Sequence, residues 1–118
     1  MSDAWREHAP APGAVHVFEF PEVTTSRLPN GMRLIHARHG RIPVVSAQVV
    51  IGAGASAEPG EKGGLAQLIA SALHAGTARR DGGQLAWDLE QLGVQLHTDA
   101  AWDAIEAWIT APAARIAE

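Results

Sequence analysis

The side chains able to do chemistry are few: six histidines, thirteen carboxylates, scattered hydroxyls and no cysteine. Without thiols there are no disulfides, thiolate zinc sites or cysteine nucleophiles, and the redox compartment stays open. His36 and His39 invite reading as a ligand pair. Residues three apart on a strand point to opposite faces, so the two converge only if the strand ends between them; they read as exposed strand-end histidines. Ser46, Ser56 and Ser71 lack a Gly-x-Ser-x-Gly setting, and no histidine–carboxylate pair is placed to activate them. Gly52-x-Gly54 with Gly60, Gly63 and Gly64 is not followed by Gly-Lys-Ser/Thr, so these glycines read as a flexible turn rather than a phosphate cradle. Asp99 and Asp103 flank a turn, which explains both.

The elements that position these residues can be read in order. Residues 1–22 contain Pro10, Pro12, Gly13 and Pro21 and read as an N-terminal arm, with a short strand around Val15–Phe20 whose Phe18 and Phe20 share a face. Val23–Leu28 and Met32–Arg38 read as strands joined through Asn30-Gly31, both of which tolerate a positive φ. From Val44 to Ile51 both alternating sets are largely apolar, which predicts a strand covered on at least one side and central in its sheet. Leu65, Leu68, Ile69, Ala72 and Leu73 recur at helical spacing, with Gly76-Thr77 as the stop. A second helix fits Gly82–Leu92, with Asp81 as N-cap, Gln84 three positions on, a Leu85/Leu89/Leu92 stripe, and Gly93 as its end. Val94–Asp99 and Ala104–Thr110 form a second strand pair, and Pro112 suits the first turn of a further helix. Strands, two helices, strands and a helix predict an α+β layer with helices on an antiparallel sheet. The partial domain runs over residues 23–118, and its last helix breaks off near its start.

Bulk properties bound the functional classes. The chain of 118 residues fits one domain at most, and 47% hydrophobic residues with 19% charged suffice for a packed core. A formal charge of −4, a single lysine (Lys62) and only one adjacent arginine pair (Arg79-Arg80) give no basic face for nucleic acid. Met1–His8 carries acids and no apolar run, unlike a secretory signal. No stretch reaches the ~18 apolar residues of a spanning helix. The expectation is a cytoplasmic protein with no membrane and no nucleic-acid partner. Trp108 is expected to fill core. Trp87 and Trp102 sit at positions suited either to a partner surface or to burial by the rest of the domain.

In this order and spacing the chain resembles the pitrilysin/insulinase and mitochondrial-processing-peptidase family of metallopeptidases, over the first part of a family repeat. Leu28-Pro29-Asn30-Gly31-Met32-Arg33-Leu34 is similar to the family's opening hairpin. Val49–Glu58 is similar to the strand and acidic loop before its active-site helix. Gly64-Leu65-Ala66-Gln67-Leu68 and Gly76-Thr77 bracket that helix, and Leu89–Leu96 is similar to the next helix and its strand. The resemblance implies a mitochondrial-processing-peptidase-like metallohydrolase fold, incomplete here.

Active relatives carry His-x-x-Glu-His on that helix, two histidines gripping one zinc and a glutamate polarising its water. The register places Gln67, Ala70 and Ser71 at those positions. Glutamine is a poor zinc ligand, alanine has no carboxylate and serine no imidazole; the family's third ligand would fall beyond Glu118. His74 can share the face, but one imidazole is not a site. The expectation is therefore no metal, no cofactor and no peptidase activity. The resemblance implies a non-catalytic member that partners a homologous catalytic subunit with an intact zinc motif, or the missing remainder of its own domain. His97 and Thr98 occupy the strand where relatives present an Asn-Ala pair beside the substrate, an edge able to take a peptide as an added strand. Two rivals stand beside this reading: a zinc metalloendopeptidase with a longer chain or atypical ligands, and a truncated remnant or small interaction module.

Overall fold

The computed structural model describes residue 9 and residues 12–15, 17–40 and 42–116. They divide into two units, the first ending at Gly40. In the first, β1 (Val23–Arg27) and β2 (Arg33–Ala37) pair antiparallel, with Val23 opposite Ala37 and Arg27 opposite Arg33. The Asn-Gly turn forms as its sequence predicts. Gly31 N–H donates to Leu28 O (2.9 Å), Leu28 N–H to Met32 O (2.8 Å), and Met32 N–H to Asn30 Oδ1 (3.0 Å). Leu28 and Met32 thus belong to the turn rather than to the strands. The strand expected around Val15–Phe20 does not form among the described residues, and His16 lies outside them. Among the described residues the sheet of this unit holds β1 and β2 alone, and no other strand takes the backbone bonds of that segment. Phe18 instead sets its ring edge-on to Phe20 and His39, at 4.9 and 5.7 Å.

The second unit carries the site. Its sheet has the order β3-β5-β4, built from β3 (Val44–Ile51), β4 (His97–Ala100) and β5 (Ile105–Pro112), all antiparallel. Two helices, α1 (Leu65–Ala72) and α2 (Gly82–Leu92), complete an α+β fold. Cross-strand register sorts the sheet into two faces. Val45, Ala47, Val49 and Ile51 share one with Ile105, Ala107, Ile109, Ala111, Thr98 and Ala100. On it α1 packs through Ala66 and Ala70 against Ile105, with Leu73 and Ala100 alongside. The other face is polar: Ser46 Oγ meets Thr110 Oγ1 at 2.8 Å, Gln48 Nε2 donates to Glu106 Oε2 at 3.0 Å, and His97 stacks on Trp108 at 5.3 Å.

Several expectations are corrected by this arrangement. Among the described residues β3 lies at an edge of its sheet, with all eight of its residues exposed; the central place belongs to β5, which pairs with both β3 and β4. Trp108 does not fill core, because register puts it on the polar face, 37% exposed. The strand expected from Val94 begins at His97, since the Val94 N–H turns back to Leu89 O at the end of α2 (3.0 Å). Among the described residues Pro112 starts no helix. It closes β5 opposite Val44, and residues 113–116 are turns. α1 ends at Ala72, where the N–H groups of Leu73, His74 and Ala75 bond three residues back in a tightened final turn. At Gly76, φ is +129°, and a Cβ there would lie 2.5 Å from Arg80 O; only glycine fits the turn into α2. Among the described residues no helix is long and apolar enough to cross a membrane.

Candidate functional site

The candidate site is the outer side of α1 with the β4 edge beside it. α1 begins at Gly64, which has no capping side chain. Its first amides are taken by a residue outside the helix: Glu58 accepts the Gly64 N–H (2.8 Å) and the Ala66 N–H (2.7 Å) on separate carboxylate oxygens. This fixes the entry to the helix and places negative charge at its positive end. The preceding loop is pinned as tightly. Ala55 and Ser56 donate to the carbonyls of Ala101 and Trp102 (3.0 and 2.7 Å), and a Cβ on Gly54 would lie 2.4 Å from Ala104 N. Gly54 thus serves close backbone packing, whereas Gly52, Gly60, Gly63 and Gly64 have open space where a Cβ would stand.

On α1, Gln67 and Ser71 are exposed, whereas Ala70 is 1% exposed and packs against Ile105. Ser71 Oγ donates back to Gln67 O (2.9 Å). His74 reaches across to β4, its Nε2 lying 3.0 Å from Thr98 Oγ1. This donor set does not fit a zinc ion: one imidazole, already bonded to a hydroxyl, stands with an amide and a hydroxyl. Among the described residues no three His, Asp or Glu side chains gather into a group that could hold a metal. His36 and His39 are not brought together. Thr24 Oγ1 donates to His36 O (3.2 Å), and His39 lies against Phe18.

β4 is the other edge of the sheet. Ala101 N–H donates to Ala104 O (2.8 Å). Alternation of an antiparallel ladder then gives the bonded pairs Asp99–Glu106 and His97–Trp108 and turns the backbone groups of Thr98 and Ala100 away from β5. The Ala100 N–H is met by its neighbour's carboxylate, Asp99 Oδ1, at 2.9 Å. The N–H and C=O of Thr98 and the C=O of Ala100 therefore face away from β5. His97 and Asp99 side chains rise on the polar face; Thr98 points to α1. Asp103 sits exposed in the β4–β5 turn.

α2 stands where its sequence places it, with Asp81 accepting the Gln84 N–H (2.8 Å) and Gln84 Oε1 accepting the Asp81 N–H (3.1 Å). Its Leu85, Leu89 and Leu92 are half-buried and line an open groove of about 420 Å³ with Val94, Ile109 and Ile116. Arg80 Nε pairs with Asp88 at its rim (2.7 Å). Trp87 and Trp102 are 62% and 74% exposed.

Residues 34–107 match the family model for insulinase, peptidase family M16. Among solved structures, the chain is similar to a peptidase M16 inactive domain from Pseudomonas fluorescens, at 26% identity and a TM-score of 0.72, over 80% of this chain and 23% of that one. It is also similar to a protease from Helicobacter pylori, at 18% identity and a TM-score of 0.74, over 80% of this chain and 22% of that one. The chain spans about a quarter of the length of either structure. No curated protein matches it.

Proposed function

This chain belongs to the insulinase peptidase family, M16, and we propose that it serves there as a non-catalytic member that holds peptide and partners a zinc-bearing homologue. One observation carries the reading. The helix positions where the family's zinc chemistry would stand offer Gln67, Ala70 and Ser71, and Ala70 is spent on the core contact with Ile105. Without a second imidazole or a carboxylate base, zinc is not held and its water is not polarised. What remains usable is the β4 edge, with the outward backbone of Thr98 beside His97. Peptide binding there depends on main-chain groups, which survive loss of the catalytic set. The similar inactive domain from Pseudomonas fluorescens supports the non-catalytic half of the reading.

The test has two arms on the intact chain. Zinc binding is followed by calorimetry and metal analysis, and an extended model peptide is titrated while the amide signals of Thr98 and Ala100 are followed by NMR. The reading expects no stoichiometric zinc, no cleavage of a quenched peptide, and shifts centred on Thr98. Chelator-sensitive cleavage would overturn the non-catalytic assignment. Peptide shifts elsewhere, or none, would overturn the edge assignment. Partnership is tested by co-purification with a homologue bearing His-x-x-Glu-His, and requires peptide cleavage by that homologue to rise when this chain is added.

A further inference from the structure

The polar face of the sheet carries a row of two rings. His97 on β4 stacks on Trp108 of β5, with centroids 5.3 Å apart and planes within 16° of parallel. The two residues are register partners, so the row runs across the strands rather than along them. A flat ring has two faces to offer. One face of the His97 ring is covered by the Trp108 indole, and the other turns away from β5. His97 is exposed, and among the described residues no third ring continues the row.

Register fixes which residue of a peptide held at β4 meets that outer face. The backbone groups of Thr98 face away from β5 and those of His97 face toward it. A peptide taken up antiparallel, as every pair in this sheet is, exchanges its bonds with Thr98. Its residue opposite His97 then falls at a non-bonded pair, where side chains approach closest. That residue lies on the polar face, because directly opposite residues share a face. The residue opposite Thr98 points instead toward α1 and His74, whose Nε2 lies 3.0 Å from Thr98 Oγ1.

Resting on the peptide-edge reading above, we propose that the peptide bound there carries an aromatic side chain opposite His97, which becomes the third ring of the row. His97 is the specificity-determining residue of the edge, and Trp108 is the positioning residue that holds its ring. Aromatic pairs across strands add attraction beyond the area they bury. Here the first pair is already assembled, so the imidazole has little freedom left to lose on binding. The register also gives a direction. In an antiparallel peptide the aromatic residue directly follows the one bonded to Thr98.

The second place on the polar face does not compete for that ring. A peptide residue opposite Asp99 meets a carboxylate with Glu106 as its register partner behind it. Asp99 Oδ1 accepts the Ala100 N–H (2.9 Å), and Glu106 Oε2 accepts from Gln48 (3.0 Å). Neither side chain offers a ring, so a peptide free to slide along the edge settles with its aromatic residue at His97.

The experiment uses the whole chain and a blocked peptide of alternating threonine and valine, with phenylalanine or cyclohexylalanine at one central position. Cyclohexylalanine has nearly the same size and apolar area but no aromatic face. Binding is followed by the Thr98 and Ala100 amide signals, and the ring by its nuclear Overhauser contacts. The phenylalanine peptide is expected to bind about three- to tenfold tighter than its cyclohexylalanine twin, with ring contacts to the His97 imidazole. His97→Leu should bring the ratio of the two affinities to about one, and His97→Tyr, which restores a flat ring, should return it. Trp108→Leu, which frees the imidazole, should lower the ratio. Equal affinities in the wild type, or a ratio that His97→Leu leaves intact, would overturn the aromatic assignment and leave the edge reading standing. So would an arginine peptide that binds tighter than the phenylalanine one. Absence of shifts at Thr98 and Ala100 with every peptide would overturn the edge reading and this inference with it.

Discussion

Glu58 and Ala66 are joined at 2.7 Å, carboxylate to amide, across eight residues of chain. With the companion bond to the Gly64 N–H, one side chain supplies what Gly64 lacks as an N-cap and ties the glycine-rich loop to the helix that carries the candidate site. Replacing Glu58 by alanine is expected to lower stability by about 1–2 kcal/mol, the worth of a charged cap. Glu61→Ala, in the same loop and exposed, should stay within about 0.5 kcal/mol. Urea denaturation of the two variants checks the pair; equal effects would mean that the Glu58 bonds contribute nothing specific.

The loop before the helix depends on a missing side chain rather than a present one. A Cβ on Gly54 would lie within 2.4–2.7 Å of backbone atoms of Ala101, Asp103 and Ala104. Those atoms belong to a turn held by Ala55 and Ser56 and cannot yield as a flexible side chain would. Gly54→Ala is expected to cost about 2 kcal/mol or more and to broaden the amide signals of Ala101–Ala104. Gly52→Ala, with open space around it, is the control. A neutral Gly54→Ala would show that the turn is not packed this closely in solution.

His74 and Thr98 link α1 to β4 by one exposed hydrogen bond of 3.0 Å. A double-mutant cycle with His74→Ala and Thr98→Val should give a coupling of about 0.5–1 kcal/mol, the range of a single net hydrogen bond. A coupling near zero would make the contact incidental, and peptide binding at the edge should then be insensitive to His74.

Local chemistry made part of this structure legible in advance. Asn30-Gly31, the Asp81/Gln84 box and Gly93 each act over a few residues, and the hairpin and α2 appear where those residues place them. The edge position of β3, the exposure of Trp108 and the role of Pro112 depend on which strand lies beside which, and alternation alone carries no record of that. Val44–Ile51 reads as buried because apolar residues occupy both of its faces, yet among the described residues β5 is the strand it pairs with. Glu58 was open to discovery by a different question. A helix opening on Gly63-Gly64 has free amides, and the acidic residue just upstream is the group to take them.

Ala70 decides how far the family's chemistry could be rebuilt here. At 1% exposure, against Ile105 and close to Ala66, it has no room or solvent for a carboxylate. Ala70→Glu is therefore expected to cost about 2–4 kcal/mol, from overpacking together with an unpaired buried charge. Gln67→His and Ser71→His, at exposed positions, should each remain within about 0.5 kcal/mol. Thermal or urea unfolding of the three single variants separates these cases. If Ala70→Glu folds as stably as the other two, α1 must sit further from the sheet than its contact with Ile105 implies. The triple variant should then be assayed for zinc. If it is destabilised as expected, the packing has absorbed the position, and restoring the motif letters alone does not restore the site.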